Sequence, residues 1–411
     1  MKSTEVGPPV VIFGATEMAL AAARSLARRG VRVYAVHFAP KKPLAAYSRC
    51  LTYVQGPDLD RDEVVLDFLL TFGRRFRDRP VLMPAQDHAV LFMHRHRVAL
   101  REQYRLYVWE SDELAESGSK CGLRGVAERY QLPVPKTVAP RNRDDLEEGI
   151  RQLTFPCIVK PEFTMQWWNP AAKELGLSRK AIRVDNDEEL RELFGRTEKL
   201  GSRVVIQQMV VGPDDGHMSY TAFVTPQGRI AAELVARKLR IHPPRFGVGC
   251  YLEAAEIDDA RRVGREIIER LGFRGFTSLQ FKRDERDGRL YLIEINLRFP
   301  IWIGLPIACG VDYPWYYYET CLGHPVETPE HIRFGTRWID LHKDIQSMRV
   351  YAREGTWTWS QWVLGLLRRP VPLLFRWDDP MPALLSMAER YLRRTPSDRN
   401  RESRIESGVS A

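Results

Sequence analysis

The stretch LYLIEINLRF, residues 290–299, decides how this chain is read, because it spaces Glu294, Asn296 and Arg298 two residues apart. Alternate side chains of a strand share a face, so this spacing predicts that the three project together. A carboxylate, an amide and a guanidinium side by side suit a metal-bound polyphosphate. The carboxylate takes Mg2+, the amide oxygen takes a second coordination position, and the guanidinium meets phosphate oxygens. An edge strand with its polar face in water has the same spacing, so the neighbouring segments must choose between the two.

Immediately upstream, residues 276–283 and 290–295 read as adjacent strands joined by the Asp287-Gly288 turn. Before them, residues 220–224 and 230–235 form a hairpin pattern across Pro226-Gln227-Gly228. A helix is expected at 260–271. Further upstream, Lys120 opens a helix, and the apolar strand 157–161 delivers Lys160 at its end, just before a proline. Helices at 144–153 and 187–200 and a strand at 203–208 complete this middle part.

The first hundred residues alternate strand and helix: 10–13, 18–28, 31–36, 64–75 and 81–83. Gly14-Ala15-Thr16-Glu17 lacks the glycine spacing of a dinucleotide loop, and His37 stands where an acidic ribose ligand would close the second strand. Asp87 follows the strand 81–83, at the carboxyl edge where open α/β sheets bind ligands.

A chain of 411 residues, 44% hydrophobic and 28% charged, is a soluble globular protein of two or three domains. Its net charge of +9 attracts polyanions, but no nucleic-acid motif accompanies it, so no nucleic-acid partner is expected. Six cysteines without a Cys-x-x-Cys pair indicate neither a zinc site nor a disulfide scaffold. Glu5 and Glu17 interrupt any apolar leader, and the setting expected is reducing and cytoplasmic. Trp338, Trp357, Trp359, Trp362 and Trp377 crowd the C-terminal region. The amphipathic segment 357–367 suits either packing on the body or peripheral contact with a membrane surface. The polar tail from about 398 is expected to be disordered.

Taken together, these motifs resemble the ATP-grasp superfamily, and within it the predicted ATP-dependent carboligases that include D-aspartate ligase. The resemblance covers about residues 10–382 and is strongest from Lys120 to Arg298. It implies an α/β fold with α+β parts: a Rossmann-like N-terminal domain (1–115), a small lid domain (116–203) and a larger catalytic domain (204–325). A helical extension (326–397) and a tail (398–411) would follow. The implied cofactors are ATP and Mg2+. Lys120 and Lys160 match the phosphate lysines, and Gln208, Met209 and Val210 match the hinge around adenine, with Asp215 also on the nucleotide side. Glu294 and Asn296 match the metal pair, and Arg298 matches the arginine that steadies the transferring phosphoryl group. In GRIAAELVARKLRIHPPRFGVGCYLE (residues 228–253), Lys238, Arg240 and the Gly247/Gly249 loop match residues that grip triphosphate and acyl phosphate. Asp87 matches an acidic residue on the acceptor-substrate side.

The implied reaction joins a small-molecule carboxylate to an amine through an acyl phosphate, releasing ADP and phosphate; homodimers are common on this scaffold. The chain departs from the pattern at Gln280, where the first metal carboxylate is usual, with Asp284 nearby on the same strand. It also departs at Leu297, and at Met165–Pro170, where aromatic bulk replaces a glycine-rich flap and Lys173 or Lys180 could supply its cation. A normal ligase, a slow or narrowly specific one, and an ATP-binding relative acting as sensor or scaffold all remain open. A biotin-dependent carboxylase component would share the ATP half, but no Met-Lys-Met biotin acceptor occurs.

Overall fold

The computed structural model describes residues 7–59, 61–112, 116–167 and 169–393, so the tail expected from 398 lies outside the described residues. Three sheets organise the chain. The first holds β1 (Val10–Phe13), β2 (Val33–His37), β3 (Thr52–Gln55) and β4 (Val81–Pro84) in the order β3-β2-β1-β4, all parallel. β1 is apolar at every position because both its faces are covered. Val10 and Ile12 pack toward the helix Glu17–Ala27 and the large sheet, while Val11 and Phe13 pack with Leu69, Phe72 and Phe92 on the other side. This is the Rossmann-like N-terminal domain.

The second sheet, β5 (Thr137–Val138), β6 (Cys157–Pro161), β7 (Ile182–Val184) and β8 (Val204–Gln208), runs in the order β5-β8-β6-β7 and is antiparallel. Its own core contains Val159, Ile206, Leu190 and Trp167. Trp167 is fully buried and donates from its indole nitrogen to Ser202 at 3.1 Å, so this part of the aromatic interval 165–170 builds the lid's core rather than a flap.

The third sheet has seven strands: β9 (His217–Val224), β10 (Ile230–His242), β11 (Val248–Ala254), β12 (Gly275–Arg283), β13 (Leu290–Asn296), β14 (Arg337–Ile339) and β15 (Val371–Pro372). Their order is β13-β12-β9-β10-β11-β14-β15. β9 and β10 form the expected hairpin, but β10 continues seven residues past 235, to His242. β11, β14 and β15 are not singled out by pattern alone. β13 ends at Asn296, so Arg298 lies just beyond the strand rather than on its regular face.

The C-terminal segments brace this body. The helix Leu341–Arg353 backs β10, and the helix Trp359–Leu367 packs through Gly365, whose carbonyl accepts from Tyr251 Oη at 2.9 Å. Trp362 donates to Asp344 at 2.8 Å. On the opposite side of that helix Leu364 and Leu367 are exposed. No described helix is long and apolar enough to cross a membrane. Farther on, Asp379 is buried against the first domain, where it accepts from Arg24 Nε at 2.8 Å and Ser48 Oγ at 2.6 Å.

Candidate functional site

A cleft of about 730 Å3, counted out to its opening, lies between the second and third sheets. Its floor is one face of the large sheet. Register sets Gln280 on β12 directly opposite Glu294 on β13 and beside Ser219 on β9, and sets Lys282 level with His217. Lys238 on β10 joins them, and Ile158 and Lys160 of β6 with Gln207 of β8 face them across the cleft. Lys120 enters from the start of the helix Lys120–Tyr130, and Lys180 from the turn before β7.

Local structure fixes several of these groups. Ser119 caps the Lys120 helix, accepting from the Gly122 amide at 2.9 Å, and a Cβ at Gly122 would stand 2.2 Å from the Glu116 carbonyl oxygen. Lys160 Nζ donates to Gln207 Oε1 at 2.9 Å, and Gln207 Nε2 donates to Thr137 Oγ1 at 3.1 Å. The loop between β10 and β11 also reaches the cleft. Arg245 there has a φ of 76°, and its amide donates to both Asp214 carboxylate oxygens at 2.9 and 3.1 Å. A Cβ on Gly247 would fall 2.0 Å from the His242 carbonyl carbon, so only glycine fits that fold of the loop.

The cleft is strongly cationic, with Glu294 as the only carboxylate among its lining residues. Burial, reinforced by the charge of Lys120, pulls the Lys160 ammonium down to about 7. Burial and Lys180 do the same to Lys238, also to about 7. Burial pushes the Glu294 carboxyl upward, but Lys180, Lys120, Arg298 and Lys160 together outweigh it and hold the group down at about 2. Burial and Lys238 keep His217 neutral, and its Nε2 is buried with no hydrogen-bond partner. Such an atom is suited to a ligand hydroxyl or ring nitrogen.

Lys120, Lys160, Val210, Lys238, Gln280 and Glu294 therefore come together from five separate elements and the loop after β8. Arg298 and Asp87 meet each other at 2.9 Å (Nε to Oδ1) and 3.1 Å (Nη2 to Oδ2), joining the first domain to the end of β13. Asn296 is buried opposite Ser278 and is not among the lining residues. Gln208 and Met209 lie between the lining residues Gln207 and Val210 but do not line the cleft themselves, and their amides donate to the Lys136 and Pro156 carbonyls at 2.8 and 3.0 Å.

Two expected residues sit elsewhere. Arg240 is fully buried, paired with Asp344 at 2.7 and 2.8 Å and stacked on Tyr251 and Trp357. The physical reason is a bulge in β10 between Lys238 and Arg240, which breaks the alternation that would have given them one face. Asp215 pairs with Arg237 outside the cleft. Asp284 is likewise turned away. Arg286 holds its carboxylate at 2.6 and 2.8 Å, and the Val211 amide donates to it at 3.3 Å. Of the two candidate flap lysines, Lys180 lines the cleft and Lys173 does not. Sequence reasoning missed Gln207, His217, Lys282 and Arg245. Lys282 was within reach, two residues beyond Gln280 on the same strand face.

The donor set suits a metal that arrives on phosphates. Among the described residues no cluster of three His, Cys, Asp or Glu side chains forms a cage. Glu294 with the amide oxygen of Gln280 matches the one or two protein ligands with which Mg2+ is usually held when phosphates complete its shell.

Residues 233–343 match a family model described as "ATP-grasp in the biosynthetic pathway with Ter operon". The D-aspartate ligase of Enterococcus faecium (strain Aus0004) is 24% identical over 264 residues, an alignment spanning 61% of this chain and 62% of that protein. The chain therefore matches less than two thirds of the length of this curated relative. Among solved structures, N5-carboxyaminoimidazole synthetase from Staphylococcus aureus, complexed with ADP, superposes with a TM-score of 0.63 at 16% identity, covering 85% of this chain and 86% of that one. The L-amino acid ligase from Bacillus licheniformis superposes with a TM-score of 0.61 at 18% identity, covering 81% and 79%. The architecture is the ATP-grasp fold: a Rossmann-like domain, a lid sheet and a larger sheet with the cleft between the last two.

Proposed function

We propose that this chain is an ATP-dependent carboxylate–amine ligase. The observation that carries the reading is the cleft itself, in which Lys120, Lys160, Lys180 and Lys238 surround the single carboxylate of Glu294. A triphosphate and a second anion repel each other, and clustered ammonium groups in a water-poor cleft offset that repulsion. Residues 116–203 would act as the lid and 204–325 as the catalytic domain, with 1–115 contributing Asp87 at the acceptor side.

In the proposed sequence, an oxygen of the substrate carboxylate attacks the γ-phosphorus of ATP. The bond from that phosphorus to the β-bridging oxygen breaks, and ADP leaves with the electron pair. The amine nitrogen then attacks the acyl carbon, the bond from that carbon to the bridging oxygen breaks, phosphate leaves with its electron pair, and the proton lost by the amine passes to solvent. Lys120 and Lys160 would hold the phosphates from the lid side and Lys238 from the floor. Arg298 would meet the transferring group or the substrate carboxylate, and Val210 with the backbone around Met209 would border the base. When bound, Mg2+ would supply charge neutralisation on the phosphates; Glu294 and the amide oxygen of Gln280 would hold it, and Asn296 would stand behind them on the strand of Glu294. The similarity to a D-aspartate ligase and the fold shared with an L-amino acid ligase support an amino acid as one substrate.

The test is turnover of Mg-ATP with a pool of amino acids and other small carboxylates, with nucleotides quantified and products found by mass. ADP and phosphate that depend on the pool and disappear in Lys160→Ala are expected; AMP would overturn the acyl-phosphate route. A second reading, an ATP-binding relative without turnover, is favoured by one contact: Ser219 Oγ already donates to Gln280 Oε1 at 2.8 Å. Saturable nucleotide binding with no turnover across the pool would select it.

A further inference from the structure

Six cationic side chains line the cleft (Lys120, Lys160, Lys180, Lys238, Arg245 and Lys282) against the one carboxylate of Glu294. Sites that use two divalent ions hold them about 3.5–4 Å apart and need bridging anionic ligands to offset their mutual repulsion. Here the position directly across the strand pair from Glu294 is the uncharged Gln280. Its amide nitrogen donates to Ser278 Oγ at 3.0 Å and its oxygen accepts from Ser219 Oγ at 2.8 Å, which leaves one lone pair for the ion at Glu294 and none to bridge a second. The nearest other carboxylate on β12 and its turn, Asp284, is held by Arg286. The ammonium of Lys180, also lining the cleft, stands 3.9 Å from Glu294 Oε2.

We infer that nucleotide bound in this cleft carries one divalent cation, at Glu294, and that Lys180 supplies the positive charge a second ion would otherwise bring. The inference rests on the nucleotide-binding part of the proposed function. It explains why the lysine excess and the missing second carboxylate occur together. Each added cation is compatible with one carboxylate only while the total positive charge stays within what the phosphates neutralise. In the free protein Lys180 is the counter-ion of Glu294, and the metal–nucleotide complex releases it toward the phosphates.

Manganese titration of the full chain with a stoichiometric, non-hydrolysable ATP analogue, read by the electron paramagnetic resonance of free Mn2+, tests this. Bound analogue is counted separately by equilibrium dialysis. One manganese per bound analogue is expected in the unmodified chain and two in Gln280→Glu. In the analogue-free protein, Lys180→Gln is expected to bind manganese at least tenfold more tightly, because Glu294 loses its ammonium neighbour. Lys180 is partly exposed, so this variant is expected to fold even if Gln280→Glu does not. Two manganese ions per analogue in the unmodified chain, or no gain in Lys180→Gln, would overturn the inference while leaving nucleotide binding intact. Absence of bound analogue would instead overturn the functional reading beneath it.

Discussion

Arg298 donates from Nη2 to Asp87 Oδ2 at 3.1 Å across 211 residues of sequence, and its Nε lies 2.9 Å from Oδ1 as an ion pair without a hydrogen bond. The pair closes the distance between the first residue of the helix Asp87–Arg95 and the end of β13. It thereby ties the N-terminal domain to the end of the strand that carries Glu294. Arg298 is also one of the charges that keep Glu294 ionised, so Asp87 and Glu294 share it electrostatically.

Asp87→Asn is expected to raise the KM of the non-nucleotide substrate about tenfold and to leave nucleotide affinity within about twofold, as measured by steady-state kinetics and direct nucleotide titration. Asp87 is about half exposed. Stability should therefore change by no more than about 1 kcal/mol, the usual range for an accessible pair.

Lys160 and Lys238 give nucleotide binding a pH dependence. Each has an ammonium pulled down to about 7 in the free protein, and a bound phosphate raises it again. Binding therefore takes up protons above pH 7, and affinity should fall as pH rises from about 7 to 9, by up to about tenfold per unit for each lysine. Isothermal titration in buffers of different ionisation enthalpy measures that uptake directly. For stability without ligand the sign is opposite. Between about 7 and the ordinary lysine value the unfolded chain binds more protons, so these two groups make the free protein more stable as pH rises through that window.

Arg240 and Asp344 have no exposed surface, and Tyr251 and Trp357 enclose the guanidinium. Asp344→Ala leaves that charge buried without its carboxylate and is expected to cost about 3–5 kcal/mol in urea unfolding. The same loss should follow whether or not nucleotide is present, since neither residue lines the cleft.

Gly122 and Gly125 lie one turn apart on the helix that carries Lys120, yet should respond oppositely to alanine. A Cβ at 122 meets the Glu116 carbonyl at 2.2 Å, while one at 125 meets nothing within 4 Å. Gly125→Ala should stabilise by about 0.5–1 kcal/mol through helix propensity. Gly122→Ala should destabilise and weaken nucleotide binding by displacing the helix start. Thermal melts and nucleotide titration separate the two.

Much of this was legible in the residues because hydrophobic period and turn chemistry acted locally. β1, β6 and the β9–β10 hairpin follow from apolar runs and the Pro226-Gln227-Gly228 turn. The Glu294 strand face followed from period two as far as Asn296, where the strand stops. Arg240 was misread for a reason no periodicity carries, a one-residue bulge whose effect depends on the partner strand β11. His217 and Arg245 escaped notice because their place depends on sheet register and on a loop pinned by Asp214, both of which are long-range. β14 and β15 are three and two residues long, too short to show a pattern before the sheet edge accepts them.

The buried contact of Arg24 with Asp379 has a temporal side. Arg24 belongs to the first helix, and its acceptor lies 355 positions downstream. As the polypeptide leaves the ribosome, the first sheet can form early from neighbouring segments, but this guanidinium must wait for its carboxylate through the synthesis of both other sheets. Closing a loop of that length is slow compared with forming local structure. The N-terminal domain is thus made before the other two sheets and sealed after them, which leaves this helix face uncovered while they are synthesised.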